Sequence, residues 1–294
     1  MIGLIAAILT AFFRFFADVL SKLNLERTGD EEIDPLTLSL FYRLTGIIPL
    51  FLAVLILGVP SNIDFELLLV LLFTGPALTV ATILFLYALN YSDISLVTPI
   101  KTISPVLVVV TGFLILGEVP SFQGLAGVAM VFIGIYTLQV DKSDISYLEP
   151  LKKTVSDRGV QLVVIMMIIY GISAPLDKIG VEASSPAFYA LCLYTFGSVG
   201  LLSYHFLTRG RGDITYENVK KIYGIGIFNG LSSFAQMTAF SLTLVVYVVS
   251  IKRLSTVMSS VYGAIFLEEG MRDARILGSI LVTFGAIILG VEIL

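Results

Sequence analysis

The chain is poor in the residues that most enzymes and metalloproteins use for chemistry. Its 294 residues include one cysteine, Cys192, and one histidine, His205. A single cysteine excludes a disulfide within the chain, and inside an apolar segment it is most simply a small buried hydrophobic residue. The sequence offers no His/Cys metal cluster and no glycine-rich phosphate loop, so we predict neither an enzyme nor a cofactor.

Charged residues are also scarce. Asp, Glu, Lys and Arg make up 14% of the chain, and the formal net charge is −4. No basic patch with interleaved aromatic residues is present, which argues against a nucleic-acid partner. The first apolar stretch contains Arg14 and Asp18 and no small-residue cleavage site, so we do not expect a cleavable signal peptide.

Apolar residues are correspondingly abundant. They make up 57% of the chain, and the mean hydropathy is +0.97, whereas soluble domains are roughly 45–50% apolar and 25% charged. This composition predicts an integral, multi-pass membrane protein of the cell (inner) membrane. Because a helix needs about 20 apolar residues to cross a bilayer, we predict an all-α protein of ten transmembrane helices. They are residues 2–22, 36–58, 66–90, 94–117, 121–140, 160–180, 186–207, 218–241, 244–268 and 273–293.

A polar stretch near the middle of the chain divides these helices into two groups of five. We predict a first repeat over residues 1–140, a connecting loop over 141–159 and a second repeat over 160–294. An offset of 151 aligns Pro35 with Pro186, Gly46 with Gly197, Lys101 with Lys252, Gly112 with Gly263, Glu118 with Glu269, Gly127 with Gly278 and Gly134 with Gly285. Five is odd, so the repeats are inverted and both termini lie on one side of the membrane. Inverted repeats are typical of transporters that work by alternating access.

Lys101 and Lys252 are the residues of the predicted helices that cost most to insert into a membrane. A lysine at the centre of a transmembrane helix costs roughly 2.5–3.5 kcal/mol on insertion scales and usually faces a bundle interior or a watery cavity. Their alignment predicts that both point towards the axis that relates the repeats. With Arg253, they would form a positive pocket for an anion. Pairing with buried acids, or chance placement near an interface, are the alternatives.

Other polar residues accompany these cations. In the eighth helix, Asn229, Ser232, Ser233 and Gln236 form one stripe, and in the ninth Lys252, Ser255, Thr256, Ser259 and Gly263 recur with similar spacing. The stripes indicate either a cavity wall or small residues that pack membrane helices together.

The remaining ionisable residues have individual interpretations. Asp18 is the expected partner of Arg14, four residues away, and Arg43 is expected to extend to the membrane interface. Glu118 and Glu269 end the fourth and ninth helices, where the helix dipole disfavours an acid. They therefore need a compensating partner or a capping role, with proton coupling as the alternative.

Residues 87–138 resemble the drug/metabolite transporter superfamily, EamA type. The matching elements are "YAL" at the end of the third helix, Pro105 in the fourth, "LGE" at its end, and Gly124, Gly127 and Gly134 in the fifth. The resemblance implies ten helices in two inverted repeats and transport of metabolites. It places both termini in the cytoplasm, whereas Lys and Arg concentrate in the opposite loops and the positive-inside rule places the termini outside.

The fourth and ninth helices are also similar to those of the plastid phosphate translocators, in the same superfamily. The resemblance implies that Lys101, Lys252 and Arg253 hold a phosphate group. The aromatic and histidine positions that shape the sugar end of that site are not recognisable here.

We therefore predict a secondary transporter that exchanges small organic anions, phosphorylated or carboxylated. The predicted substrate-binding residues are Lys101, Lys252, Arg253, Asn229, Ser233, Gln236, Thr256 and Tyr87. An exporter of neutral or zwitterionic metabolites such as amino acids, with structural lysines, is the first alternative. The second is an intramembrane enzyme acting on lipid-linked phosphates, for which no nucleophile or metal set is evident. The sequence leaves a homodimer open.

Overall fold

The computed structural model describes residues 1–27, 35–92, 103–139, 157–209, 216–266 and 273–294. Within these ranges all regular structure is helical, and no strand occurs. The helices are α1 Ile2–Arg27, α2 Pro35–Leu57, α3 Phe65–Tyr91, α4 Ser104–Leu116, α5 Phe122–Gln139, α6 Arg158–Glu182, α7 Pro186–Arg209, α8 Tyr216–Phe240, α9 Val245–Ile251, α10 Leu254–Phe266 and α11 Asp273–Ile293.

Six of the described helices are long and apolar enough to cross a membrane: α1, α2, α3, α6, α7 and α11. The helices α4 and α5 are apolar but shorter. Large apolar side chains cover the outside of the bundle; Phe122 is 87% exposed and Leu207 is 86% exposed. A surface of this kind suits lipid, so the chain is an integral, multi-pass membrane protein.

The ninth predicted segment, residues 244–268, is not one continuous helix. It is divided into α9 and α10, and Lys252 and Arg253 lie at the junction. No proline or glycine stands there. The amide of Arg253 donates to the carbonyl of Ser250 over 3.0 Å, and that of Ser255 to the carbonyl of Lys252 over 3.1 Å. This tight i→i+3 bonding is the geometry of a 3₁₀ turn, which often marks a functional hinge when it interrupts a helix.

The two parts of the chain on either side of residues 140–156 are interleaved in space. Helix α1 packs on α8, α3 on α6, and α5 on α11, while α2 packs on both α7 and α8. The packed interior is apolar, and Tyr189 and Phe240 are fully buried in it. Each helix of the first part thus has its main partner in the second.

Both described ends of the chain lie on one side of the bundle. A methyl group added at Gly3 would lie 3.2 Å from Leu242 Cβ and 3.7 Å from Ile293 Cγ2. Likewise, one added at Gly290 would lie 3.4 Å from Leu4 Cδ1. The beginning of α1 and the end of α11 are therefore neighbours.

Four glycines let α5 and α11 approach each other closely. A Cβ atom at Gly134 would lie 2.7 Å from the carbonyl oxygen of Gly278, and one at Gly278 would lie 2.6 Å from that of Gly134. Gly127 and Gly285 form the second reciprocal pair, with corresponding distances of 3.1 and 2.7 Å. Small residues at such crossings let membrane helices gain van der Waals contact along their backbones.

Gly278→Ala is expected to destabilise the bundle by about 1–3 kcal/mol, because the new methyl group meets backbone atoms that cannot rotate away. Gly290→Ala, in the same helix, is the matched control, since its methyl group would be in ordinary contact with the flexible Leu4 side chain. Thermal unfolding of the purified variants in detergent measures the difference. Equal melting temperatures for the two variants would contradict the close contact of α5 with α11.

Candidate functional site

Two polar residues of α8 hold basic side chains that come from other helices. The Oδ1 atom of Asn229 accepts a hydrogen bond from Arg14 Nη1 over 3.0 Å, and Gln236 Oε1 accepts one from Lys252 Nζ over 2.6 Å. Ser232 instead donates to the carbonyl of Thr10 over 2.9 Å. Ser232 of the predicted stripe thus helps to pack α8 on α1, and Asn229 and Gln236 bond to cations; whether the stripe also forms a cavity wall stays a prediction.

Arg14 lies at the middle of α1, about 18 Å from the nearer end of the helix at 1.5 Å per residue. Its Nε is 3.0 Å from Asp18 Oδ1, so the predicted pair is present. The side chains of Arg14 and Asp18 are nevertheless 42% and 36% exposed. Arg14 also binds Asn229, which is 8% exposed, so the two charged side chains lie between the buried side of α8 and an accessible space.

Lys252 and Arg253 belong to the same electrostatic group as Arg14. Arg14 and Arg253 repel the Lys252 ammonium, while Asp18 and Asp177 attract it. Arg14 and Asp18 act in the same opposing senses on the Arg253 guanidinium. Two further cations, from α1 and the α9–α10 junction, and two carboxylates, from α1 and α6, thus lie within interaction range of Lys252.

Arg253 connects this group to the fourth helix. Its Nη2 atom donates to the hydroxyl of Ser104, the first residue of α4. Ser104 is buried. Lys101, the predicted partner of Lys252, precedes Ser104 by three positions and lies outside the described residues, so its place near the axis stays a prediction.

Asp177, in the apolar helix α6, was not among the residues predicted from the sequence. Its Oδ1 accepts a hydrogen bond from Tyr189 Oη over 2.6 Å, and that hydroxyl also pairs with Thr74 Oγ1 over 3.2 Å. Asp177 is 6% exposed and Tyr189 is fully buried. The signal that was available is a pair of charges, Asp177 and Lys178, inside an apolar run.

Glu118 has the compensating partner that its position requires. Its Oε1 is 2.8 Å from Lys178 Nζ, which also donates to the carbonyl of Thr243 over 3.1 Å. The Oε2 atom accepts from the amide of Val245, the first residue of α9, over 2.9 Å. The two charged side chains are 8% and 16% exposed. This network, the Glu118–Lys178 clamp, joins α4, α6 and the start of α9; Glu269 lies outside the described parts of the chain.

The expectation that Arg43 extends to the membrane interface is wrong. Arg43 is 9% exposed, and its Nη2 donates to Thr82 Oγ1 over 3.0 Å. The guanidinium lies directly against the backbone of Gly197 in α7. A Cβ atom at position 197 would leave no room for the guanidinium. Hydrogen bonding inside the bundle satisfies this side chain, so it has no need to reach water at the interface.

The other predicted binding residues are less closely connected to this group. Ser233 and Thr256 are half-buried on α8 and α10. Tyr87 is 45% exposed, and its hydroxyl pairs with that of Tyr204 over 2.8 Å. Contact of these three residues with a substrate stays a prediction.

The comparison with known families gives the chain its class. A model of the EamA-like transporter family matches residues 1–139 and 157–291. The chain belongs to the EamA-like transporter family. It is therefore a membrane transporter of small molecules and not an enzyme.

The fold of this EamA-like transporter also occurs among solved structures. A protein described only as "Crystal structure of protein" matches 96% of this chain and 95% of its own, with a TM-score of 0.73 and 15% sequence identity. At that identity the likeness shows a shared fold alone. No curated protein sequence matches the chain.

Proposed function

We propose that this EamA-like transporter is a secondary transporter of a small organic anion, phosphorylated or carboxylated. The observation that carries the proposal is that Arg14 and Lys252 both bond to polar side chains of α8, while Arg253 lies within interaction range of each. Each such charge costs roughly 2.5–3.5 kcal/mol on insertion scales. A bound anion offsets that cost through charge-assisted hydrogen bonds, in which a guanidinium offers a planar fork and an ammonium a mobile point charge.

Among the described residues, the carboxylates in this region do not balance the cations. Asp18 is held by Arg14, and Asp177 is bonded to Tyr189. Lys252 finds its hydrogen-bond acceptor in the uncharged amide of Gln236. If Lys101 lies where its alignment with Lys252 predicts, the excess of positive charge increases. An anion is the ligand that this excess favours.

Two sets of contacts support ten helices in two inverted repeats. At the offset of 151, the α1–α8 pair corresponds to the α6–α3 pair, and both are packed together. The contact of Gly127 with Gly285 likewise corresponds to that of Gly278 with Gly134. A two-fold axis in the membrane plane generates such reciprocal pairs, and rocking of one repeat on the other would give alternating access. Location in the inner membrane and a homodimer are further parts of this proposal.

We expect the transporter to work as an exchanger. Closing the bundle around empty cations removes them from water, at a cost of several kcal/mol per ion. An anion lowers that cost in the closed state, and only such differential stabilisation lets a ligand shift a conformational equilibrium. Liposomes preloaded with substrate should therefore take up labelled substrate at least about tenfold faster than empty liposomes. Equal rates, or accumulation driven by a proton gradient alone, would contradict exchange.

A second candidate is transport of zwitterionic metabolites such as amino acids. The carboxylates of Asp18 and Asp177 support it, because they place negative charge beside the cations and could receive an ammonium group. Uptake into proteoliposomes, compared for inorganic phosphate, a sugar phosphate, a dicarboxylate and a set of amino acids, separates the two. Transport of amino acids without transport of any anion would replace the first proposal by the second.

A further inference from the structure

We infer that Arg14 is a further anion-binding residue of the site and that Asp18 is its resting counter-ion, a built-in carboxylate that the transported anion displaces. The inference rests on the proposed function, because it concerns the same anion site. It gives the charged pair in α1 a role that a helix-stabilising pair would not have.

The two contacts of the Arg14 guanidinium differ in how firmly they are held. Asn229 is 8% exposed, and its Nδ2 donates to the carbonyl of Ile225 over 3.1 Å. Its Oδ1 therefore fixes the Nη1 end of the guanidinium from a buried and oriented position. Asp18 is 36% exposed and contacts the Nε end. One partner thus orients Arg14, while the other is exposed enough to be replaced.

A structural role accounts poorly for the Arg14–Asp18 pair. Both residues are on α1, four positions apart, so the pair connects no two helices. Exposed pairs at this spacing contribute little to stability. Helix α1 is held instead by packing on α8, where Phe16 stacks on Phe228 with ring centroids 5.1 Å apart. The fold does not need the pair, yet the pair puts two charges at the middle of a membrane-spanning helix.

The position of Asp18 suits a stand-in for the substrate. Its carboxylate attracts Lys252 and Arg253 as well as Arg14, so it serves the same three cations that a bound anion would serve. A guanidinium binds carboxylate and phosphate oxygens with similar geometry. An incoming anion can therefore take over the Nε side of Arg14 while Asn229 keeps the guanidinium in place, and Asp18 turns into the accessible space.

A double-mutant cycle tests the displacement in the full-length purified protein. Inorganic phosphate, glucose 6-phosphate and succinate are titrated against wild type, Asp18→Asn, Arg14→Gln and the double variant. Asp18→Asn should bind the anions about tenfold more tightly, because a nearby competing charge is removed. Arg14→Gln should weaken binding by about tenfold or more. In the Arg14→Gln background, the Asp18→Asn substitution should tighten binding by a clearly smaller factor, because the direct contact with Arg14 is already gone and only the attraction of Asp18 for Lys252 and Arg253 remains.

Asp177→Asn is the matched control for a change of net charge. Asp177 acts on Lys252, so its effect on affinity should persist in the Arg14→Gln background. Arg14→Met, which also removes the charge, replaces Arg14→Gln in the cycle if the latter does not fold.

Each outcome of the cycle bears on one of the two proposals. If Asp18→Asn tightens anion binding equally in both backgrounds, its effect is one of net charge, and displacement is overturned. Displacement is also overturned if the wild-type protein binds anions and Asp18→Asn leaves the affinity unchanged. If neither wild type nor Asp18→Asn binds any of the three anions, the proposed function fails, and the inference fails with it.

Discussion

Replacing Lys252 with methionine is expected to reduce anion affinity at least about 30-fold. Truncating one member of a buried, hydrogen-bonded charge pair costs about 2–5 kcal/mol, and each 1.4 kcal/mol is a factor of ten. Methionine keeps the length and apolar stem of lysine, so the loss reflects the ammonium that now bonds to Gln236. Titration of purified protein with inorganic phosphate and a sugar phosphate measures the change.

The exposed Arg158, at the start of α6, provides the matched control. Arg158→Met should change anion affinity by less than about twofold, because exposed charges interact weakly. Thermal stability supplies a second criterion. Lys252→Met should be at least as stable as wild type, since it removes repulsion from Arg14 and Arg253. Unchanged affinity together with a large loss of stability would instead favour a structural role for the lysine.

Replacing Lys178 with methionine is expected to destabilise the protein by about 3–5 kcal/mol, because it leaves a buried charge without its partner. The carboxylate of Glu118 is 8% exposed, and Lys178 Nζ lies 2.8 Å from it. The carbonyl of Thr243 loses a donor in the same variant. Thermal unfolding in detergent, followed by circular dichroism, measures the loss.

The contribution of the unpaired Glu118 charge to this loss of stability can be measured separately. Glu118→Gln keeps an oxygen that can accept from the amide of Val245 but removes the negative charge. The Lys178→Met/Glu118→Gln double variant should therefore recover most of the lost stability. A double variant as unstable as Lys178→Met alone would mean that packing and the Thr243 contact, not the ion pair, stabilise the clamp.

Hydropathy located most helices closely because the bilayer imposes a simple rule on length and polarity. The seventh was predicted at 186–207 and is found at Pro186–Arg209; the second was predicted at 36–58 and is found at Pro35–Leu57. The division at Lys252 was missed. A local 3₁₀ turn leaves the apolar content unchanged, so a count of apolar residues cannot detect it.

The site was predictable only where its residues share a helix. The stripe in α8 follows from helical spacing, and the Arg14–Asp18 pair follows from a separation of four. The Glu118–Lys178 clamp joins residues 60 positions apart, and no local pattern indicates such a contact. Arg43 was misplaced because position along a helix gives depth in the membrane but not the direction of the side chain.

The interleaving of helices also determines the order in which this protein can assemble. Most helices of the first part have their main partners in the second; Ser232 of α8, for example, bonds to Thr10 of α1, 222 positions earlier. Helices made early must therefore remain in the bilayer as separate spans until their partners have been made, which a membrane permits because each helix satisfies its own backbone. Among the described helices of the first part, α5 meets its main partner last, since α11 follows all the other described helices along the chain. Contacts between such distant parts of the chain make assembly slow. Docking of α11, which is 21 residues long, completes the packing of the described helices of the first part.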